Sequence, residues 1–303
     1  MTCSTEDRKK RLRRSMLFLN AQRPALMKDA YVYGADSVMF DLEDAVAENQ
    51  KDSARFSLYH TLKSINYRNV ERVVRINALD TPHWREDVRV CVAGGADAIR
   101  ISKCDSAREV QLVAAAIDED EAEFGRPRGE TLLMAALESP RGILNALEIC
   151  EASDKLFGIA LSGGDLRVCL HTKPSASGVE LASARGHILL AARAAGVQCF
   201  DTVFTDLADA EGFYREVVMN KEMGFDGKSL ISPRQIKVVH DVFTPSEKEV
   251  REAEEVIFAV RENAAKGTGV FTLNGKMLDI AFVAGAERTL SLAKASGVYK
   301  GDL

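Results

Sequence analysis

The stretch VMFDLEDAV, Val38 to Val46, joins an apolar run to three carboxylates, Asp41, Glu43 and Asp44. An apolar run of that length fits a strand buried on both faces. Acids gathered where such a strand ends suit either a helix N-terminus, which welcomes negative charge, or a metal site.

The same kind of run recurs along the chain. Strands are read at SMLFL (15–19), DSVMFDL (36–42), RVVRIN (72–77) and DAIRIS (97–102), then at TLLMAAL (131–137), FGIALS (157–162), FDTVF (200–204) and DGKSLI (226–231). Helical patterns fall between them, among them REVQLVAAAIDEDEAEF (108–124) and ELASARGHILLAARAAG (180–196), the second closed by Gly196. Strands alternating with helices in this way predict an α/β chain folded as a (β/α)8 TIM barrel. An open doubly wound sheet is the alternative, but no glycine fingerprint for a dinucleotide follows the first strand.

FTPSEKEV (243–250) reads as a boundary and a helix start, with Thr244 as N-cap, Pro245 in the first turn and Glu247 completing the capping box. The expected organisation is a basic arm over 1–13, a barrel over 14–243 and a C-terminal extension over 244–303. That extension reads as a helix, a glycine-rich turn (KGTGVFTLNGKMLD) and a final helix.

The 303 residues are 46% hydrophobic, enough for a large core, and the net charge of −5 creates no field for nucleic acid. The basic run RKKRLRR, Arg8 to Arg14, reads as a solvated arm. Cys3, Cys91, Cys104, Cys150, Cys169 and Cys199 form no CxxC motif and read as small apolar fillers of a reducing cytosol. No apolar run spans a bilayer and no signal peptide is evident, so a cytoplasmic protein without a membrane partner is expected.

In a (β/α)8 barrel the chemistry collects at the C-terminal ends of the strands. Those tips present Phe18, Asn20 and Arg23; Asp41, Glu43 and Asp44; Arg75 and Asn77; Lys103; Glu138; Gly163, Gly164 and Asp165; and Ser232 and Arg234. Glu138 and Asp165 could together hold one hard cation such as Mg2+. Either could instead serve a helix: Glu138 by facing its dipole, Asp165 by capping it. Arg75 lies inside an apolar strand, where a cation must be paired or face a polar cavity. The glycine pair would let backbone N–H groups approach an anion. Five histidines, none in a ligand-like pair, disfavour catalytic zinc.

The motifs RRSMLF (13–18), MFDLEDAVA (39–47), VVRINALD (73–80), LESPRGILNALEI (137–149), GGDL (163–166), FDTVFTD (200–206), GFDGKSLISPRQI (224–236) and LNGKMLD (273–279) resemble the citrate lyase β-subunit family. That family lies in the wider HpcH/HpaI aldolase and citrate lyase group, with malyl-CoA and citramalyl-CoA lyases. The resemblance runs from about Arg14 into the C-terminal tail and implies a trimeric or hexameric barrel enzyme using Mg2+. It implies Glu138 and Asp165 as metal ligands and Arg75 as the partner of a substrate carboxylate. Gly163, Gly164 and Asp165 would hold the rest of the oxo acid. Asp279 would be the acid/base, Phe18 and Arg23 would lie near the thioester, and Asp41 and Glu43 would brace the site. The implied reaction cleaves a (3S)-citryl group on acyl-carrier protein or CoA to oxaloacetate and an acetyl thioester, with α and γ subunits as possible partners. A malyl- or citramalyl-CoA type of lyase is one alternative. A weakly catalytic subunit that binds oxo acid or carrier is another, motivated by two departures: LNAQRP (19–24) replaces the relatives' Val-Pro-Gly turn, and SGGD (162–165) replaces Gly-Ala-Glu-Asp.

Overall fold

The computed structural model describes residues 4–265 and 269–302, so Cys3 and residues 266–268 of the glycine-rich stretch lie outside it. Contacts divide the chain into two compact units, Met1–Val239 and His240–Leu303.

The first unit is a closed parallel barrel, not an open sheet. Its strands are β1 (Ser15–Asn20), β2 (Ser37–Asp41), β3 (Glu71–Arg75), β4 (Ala98–Ile101), β5 (Leu132–Leu137), β6 (Leu156–Leu161), β7 (Gln198–Asp201) and β8 (Gly227–Leu230). Each pairs with the next and β8 returns to β1. Helices such as Lys51–Ser64, Ala107–Glu123 and Ala182–Ala195 connect them, and the last ends at Gly196 as read from the sequence. β7 begins two residues earlier than its apolar run suggested and stops at Asp201.

Side chains alternate across a strand, so inward positions recur every second residue. The inner cluster holds Met16, Met39, Val73, Ala98, Met134, Ala160 and Phe200, with Phe18 packed against it. Two residues further along each strand come Phe18, Asp41, Arg75, Arg100, Ala136, Ser162 and Thr202. The barrel is thus apolar at mid-height and polar one layer higher. Parallel register aligns three of the polar layer's backbone positions, Asp41 with Arg75 and Arg75 with Arg100.

The opposite mouth is closed by charge. The reading of Arg8–Arg14 as a solvated arm fails at its last residues. Arg13 is 1% exposed: Nε and Nη2 grip Glu71 at 2.7 and 2.6 Å, and Nη1 reaches Gln198 at 2.7 Å. Its guanidinium lies 3.9 Å from the Phe157 ring centroid, and Arg14 pairs with Asp36 at 2.9 Å. Partners at the starts of β3 and β7 turn a basic tail into a plug. A second buried network ties β7 and β8 to the outer helices: Asp201 accepts from Arg185 and Lys228, and both cations also reach Glu216.

The second unit holds helices Glu247–Ala265 and Ala281–Ala295, packed through Val250, Ile257, Leu290 and Ala293. Its first helix is capped by Ser246, whose Oγ accepts from Glu249 N while the Glu249 carboxylate accepts from Ser246 N. The expected Thr244/Glu247 box is therefore displaced by two residues. The chain offers two overlapping S/T-x-x-E patterns, and only the second has its carboxylate at the third helical position. The glycine-rich stretch contains an antiparallel hairpin, β9 (Phe271–Leu273) and β10 (Lys276–Leu278), where a plain turn was expected. Asn274 and Gly275, at φ 49° and 76°, make its two-residue turn. No helix among the described residues is long and apolar enough to cross a membrane.

Candidate active site

A cavity of about 280 Å³ opens at the C-terminal mouth of the barrel. Phe18, Asp41, Arg75, Arg100, Asp165 and Thr202 are among the residues that line it. It lies at the small end of ligand pockets, which run about 300–1,000 Å³.

VMFDLEDAV divides its acids three ways. Asp41 takes both Nε and Nη2 of Arg75, at 2.7 and 2.6 Å. Glu43 bridges Arg75 Nη1 at 3.0 Å and Lys103 Nζ at 2.6 Å. Asp44 is exposed and lies 3.4 Å from Lys103. Burial raises the Glu43 carboxyl above its ordinary value despite Arg75 and Lys103. None of the three acids caps a helix. Asp41 and Glu43 hold Arg75, whose own pKa is raised because Asp41, Glu43 and Glu138 outweigh its burial. Both sides of that guanidinium are engaged, leaving one N–H on each terminal nitrogen for a ligand.

Glu138 is 1% exposed at the end of β5. Its Oε1 accepts the Lys103 backbone N–H at 3.2 Å. Lys103 presents that N–H from a left-handed conformation, φ 49°, which a side-chain-bearing residue adopts only at a cost. Glu138 Oε2 is buried without a donor. What faces it is the Asp165 carboxyl, another acceptor; burial first, then this neighbour, push the Glu138 carboxyl up to about 7. The helix that follows is capped by Ser139 rather than Glu138. Asp165 is the third residue of helix Gly163–Cys169, with Ser162 at the N-cap position, so it does not serve as the cap. Two carboxylates from adjacent strand ends, one with an orphaned oxygen, fit a hard divalent cation that keeps further positions for water and ligand. No group of three or more His, Cys, Asp or Glu suited to a metal occurs among the described residues.

Of the glycine pair, the first has its N–H engaged within the protein. Gly163 N–H donates to Thr202 Oγ1 at 2.8 Å, and a Cβ at Gly163 would come within 2.8 Å of Leu181. Gly163 is there for close packing, while Gly164 is open to solvent. Phe18 lines the mouth, with two guanidinium groups near its ring, Arg75 at 5.1 Å and Arg100 at 5.3 Å from its centre. Arg23 is exposed and lies outside the cavity lining. The LNAQRP turn satisfies itself: Asn20 accepts from Gln22 N at 2.7 Å and donates to Ala45 O at 2.6 Å. Asn77 is turned to Asp87 and the Leu42 carbonyl and serves the fold. Asp279 belongs to the second unit, where its Oδ1 accepts from Ala281 N at 2.8 Å.

Arg100 is absent from the residues singled out in the sequence. It is 1% exposed on β4 and lines the cavity. Its donors reach Ser162 Oγ at 2.9 Å and Ser229 Oγ at 3.3 Å, and Nε has no partner. Burial pulls its pKa down to about 10, so it remains a cation at neutral pH. The signal that could have found it is the one applied to Arg75: a charged residue inside an apolar strand, here AIRI.

Residues 14–233 match a family model described as HpcH/HpaI aldolase/citrate lyase, and residues 179–298 match one described as a C–C bond lyase of the TIM-barrel fold. The chain is 50% identical over 292 residues to "Citrate lyase subunit beta" of Leuconostoc mesenteroides subsp. cremoris, covering 96% of this chain and 97% of that one. Among solved structures it is similar to protein CitE from Mycobacterium tuberculosis in complex with magnesium, acetoacetate and coenzyme A. That match has a TM-score of 0.76 and 32% identity, and covers 93% of this chain and 98% of that chain. A citrate lyase β subunit from M. tuberculosis complexed with oxaloacetate and magnesium gives a TM-score of 0.66 at 32% identity, over 78% of this chain and 99% of the other.

Proposed function

The chain belongs to the HpcH/HpaI aldolase/citrate lyase family, and from that membership we propose that it is the β-subunit type of citrate lyase, a Mg2+-dependent carbon–carbon lyase. Its substrate is a (3S)-citryl thioester on acyl-carrier protein or CoA, and its products are oxaloacetate and the acetyl thioester. The observation that carries this reading is the buried Glu138 facing Asp165 with one oxygen lacking a donor. Relatives complexed with magnesium together with oxaloacetate or coenzyme A support it.

The reaction breaks the bond between the carbinol carbon and the carbon next to the thioester. The hydroxyl loses its proton and becomes the ketone of oxaloacetate. The bonding electrons pass into the thioester enolate, which takes a proton to become acetyl. Bound Mg2+ supplies a Lewis acid for the oxygens of the oxo acid. Glu138 and Asp165 would hold that ion, and the Lys103 backbone N–H fixes one Glu138 oxygen. Arg75, locked by Asp41 and Glu43, directs its remaining N–H groups at substrate oxygen without reorganising. Gly164 leaves open space beside Asp165 for the oxo acid. Phe18 and Arg23 lie toward the thioester. Asp279, in the extension 244–303, returns the proton to the enolate carbon in a neighbouring subunit of a trimer or hexamer. The acyl carrier and the α and γ subunits are the partners this assignment implies.

A coupled assay tests the reading. Synthetic (3S)-citryl-CoA is the substrate, and oxaloacetate release is followed with malate dehydrogenase and NADH, in Mg2+ and then in EDTA. The expected outcome is a Mg2+-dependent rate that Glu138→Ala lowers by about 10²–10³-fold. A wild-type rate in EDTA or in Glu138→Ala would remove the metal assignment, and normal turnover by Asp279→Asn would remove its acid/base role.

A further inference from the structure

We propose that Arg100 binds a second carboxylate on the substrate and makes the site selective for dicarboxylic over monocarboxylic oxo acids. The inference rests on the reading of the cavity as an oxo-acid site.

The pattern of direct ion pairs across the barrel mouth, rather than its summed charge, leads to it. Arg75 is offset by Asp41 and Glu43, and Lys103 by Glu43 and Asp44. Glu138 and Asp165 are the pair suited to a dication. Arg100 remains, and no carboxylate among the described residues lies within ion-pair distance of it; its side-chain partners are the neutral hydroxyls of Ser162 and Ser229. Register explains the omission. On β3 its neighbour is Arg75, which is already turned to Asp41, and on β5 its neighbour is Met134. A buried guanidinium is costly unless paired, and a like charge beside it adds to that cost. The missing anion is therefore supplied from outside, through the cavity that Arg100 lines.

The Phe18 ring lies within cation–π distance of both guanidinium groups, at 5.1 Å from Arg75 and 5.3 Å from Arg100. Two hydroxyls orient Arg100 without neutralising it, and its Nε–H is unused. Pyruvate carries a single carboxylate, and once a cation held by Glu138 and Asp165 took it, no further charge would remain for Arg100. Oxaloacetate has one more carboxylate, and a planar fork of N–H donors is the chemistry that recognises it.

Calorimetric titration of the purified full-length chain in Mg2+ tests this, with freshly dissolved oxaloacetate and pyruvate as probes. Wild type is expected to prefer oxaloacetate. Arg100→Gln is expected to weaken oxaloacetate about 10- to 100-fold while leaving pyruvate binding intact, which also reports that the variant is folded. An unchanged preference, or equal weakening of both acids, overturns the proposal. If Arg100→Gln does not fold, Arg100→Lys keeps the charge and loses the fork. A preference reduced in that variant supports the assignment, and one retained in full overturns it. Absence of Mg2+-dependent binding of either acid by wild type would overturn the oxo-acid reading along with the proposal. Wild-type binding with an unmoved preference in the variants overturns the proposal alone.

Discussion

Arg13 and Arg100 are each 1% exposed, at opposite ends of one barrel, and each lies beside an aromatic ring. At the N-terminal end Arg13 has the Glu71 carboxylate on two nitrogens, Gln198 on the third and backbone carbonyls of Arg8 and Lys9 on its remaining hydrogens. At the C-terminal end Arg100 has two hydroxyls, an idle Nε and no carboxylate. Burial is equal, so burial does not separate a structural cation from a functional one. What separates them is whether the protein itself completes the hydrogen bonds.

If Arg13 is structural, Arg13→Ala should destabilise the barrel by about 3–5 kcal/mol, because Glu71 is left buried with its charge uncompensated. Chemical denaturation measures this, and adding Glu71→Gln should recover part of the loss. A neutral Arg13→Ala would break the comparison at its structural end. At the other end, Glu138→Ala should lower Mg2+-dependent turnover by about 10²–10³-fold without lowering the unfolding temperature, since it removes a carboxylate whose second oxygen has no donor. Steady-state rates and a thermal melt on the same preparation test both halves.

The Asp201 network extends the saturated class to the barrel's outer layer. Burial alone would raise the Asp201 carboxyl, but Lys228 and Arg185 outweigh it and hold it below its ordinary value. Its native-state pKa is below the unfolded one, so its contribution is present above about pH 4 and is lost as pH falls toward the native value. Unfolding midpoints should decline below about pH 4, and Asp201→Asn should flatten that slope; an unaltered slope would remove Asp201 from the account. The smallest effect sharpens the contrast most. Arg100→Met should leave stability unchanged or raise it by about 1 kcal/mol, because a buried cation without a direct ion-pair partner is replaced by an apolar chain. A loss as large as that of Arg13→Ala would show Arg100 to be structural after all.

Much of this was legible before any coordinates. The eight strands stand out because a parallel strand buried on both faces is a continuous apolar run. Arg75 stood out because a cation in such a run requires an explanation, and Glu138 and Asp165 because they close two adjacent runs. Arg100 obeys the rule that singles out Arg75, yet it lies one residue inside β4 rather than at the tip, where a barrel's chemistry collects. Arg13 was hidden by its neighbours, since a basic run looks solvated and its partner Glu71 is 58 residues away. Gly163 was read as a backbone approach to a ligand, but Leu181 and Thr202 are what crowd it.

Local sequence determined the barrel, the order of its strands and the layer in which polar residues begin. Alternation along a strand and the length of an apolar run are properties of neighbouring residues and need no partner. Pairing among the charges was decided by the tertiary structure alone. A salt bridge needs atoms within about 4 Å, and here those atoms come from strands 34 residues apart, as for Asp41 and Arg75. Register gave Arg75 two acids and Arg100 none, and no spacing in the sequence states that difference.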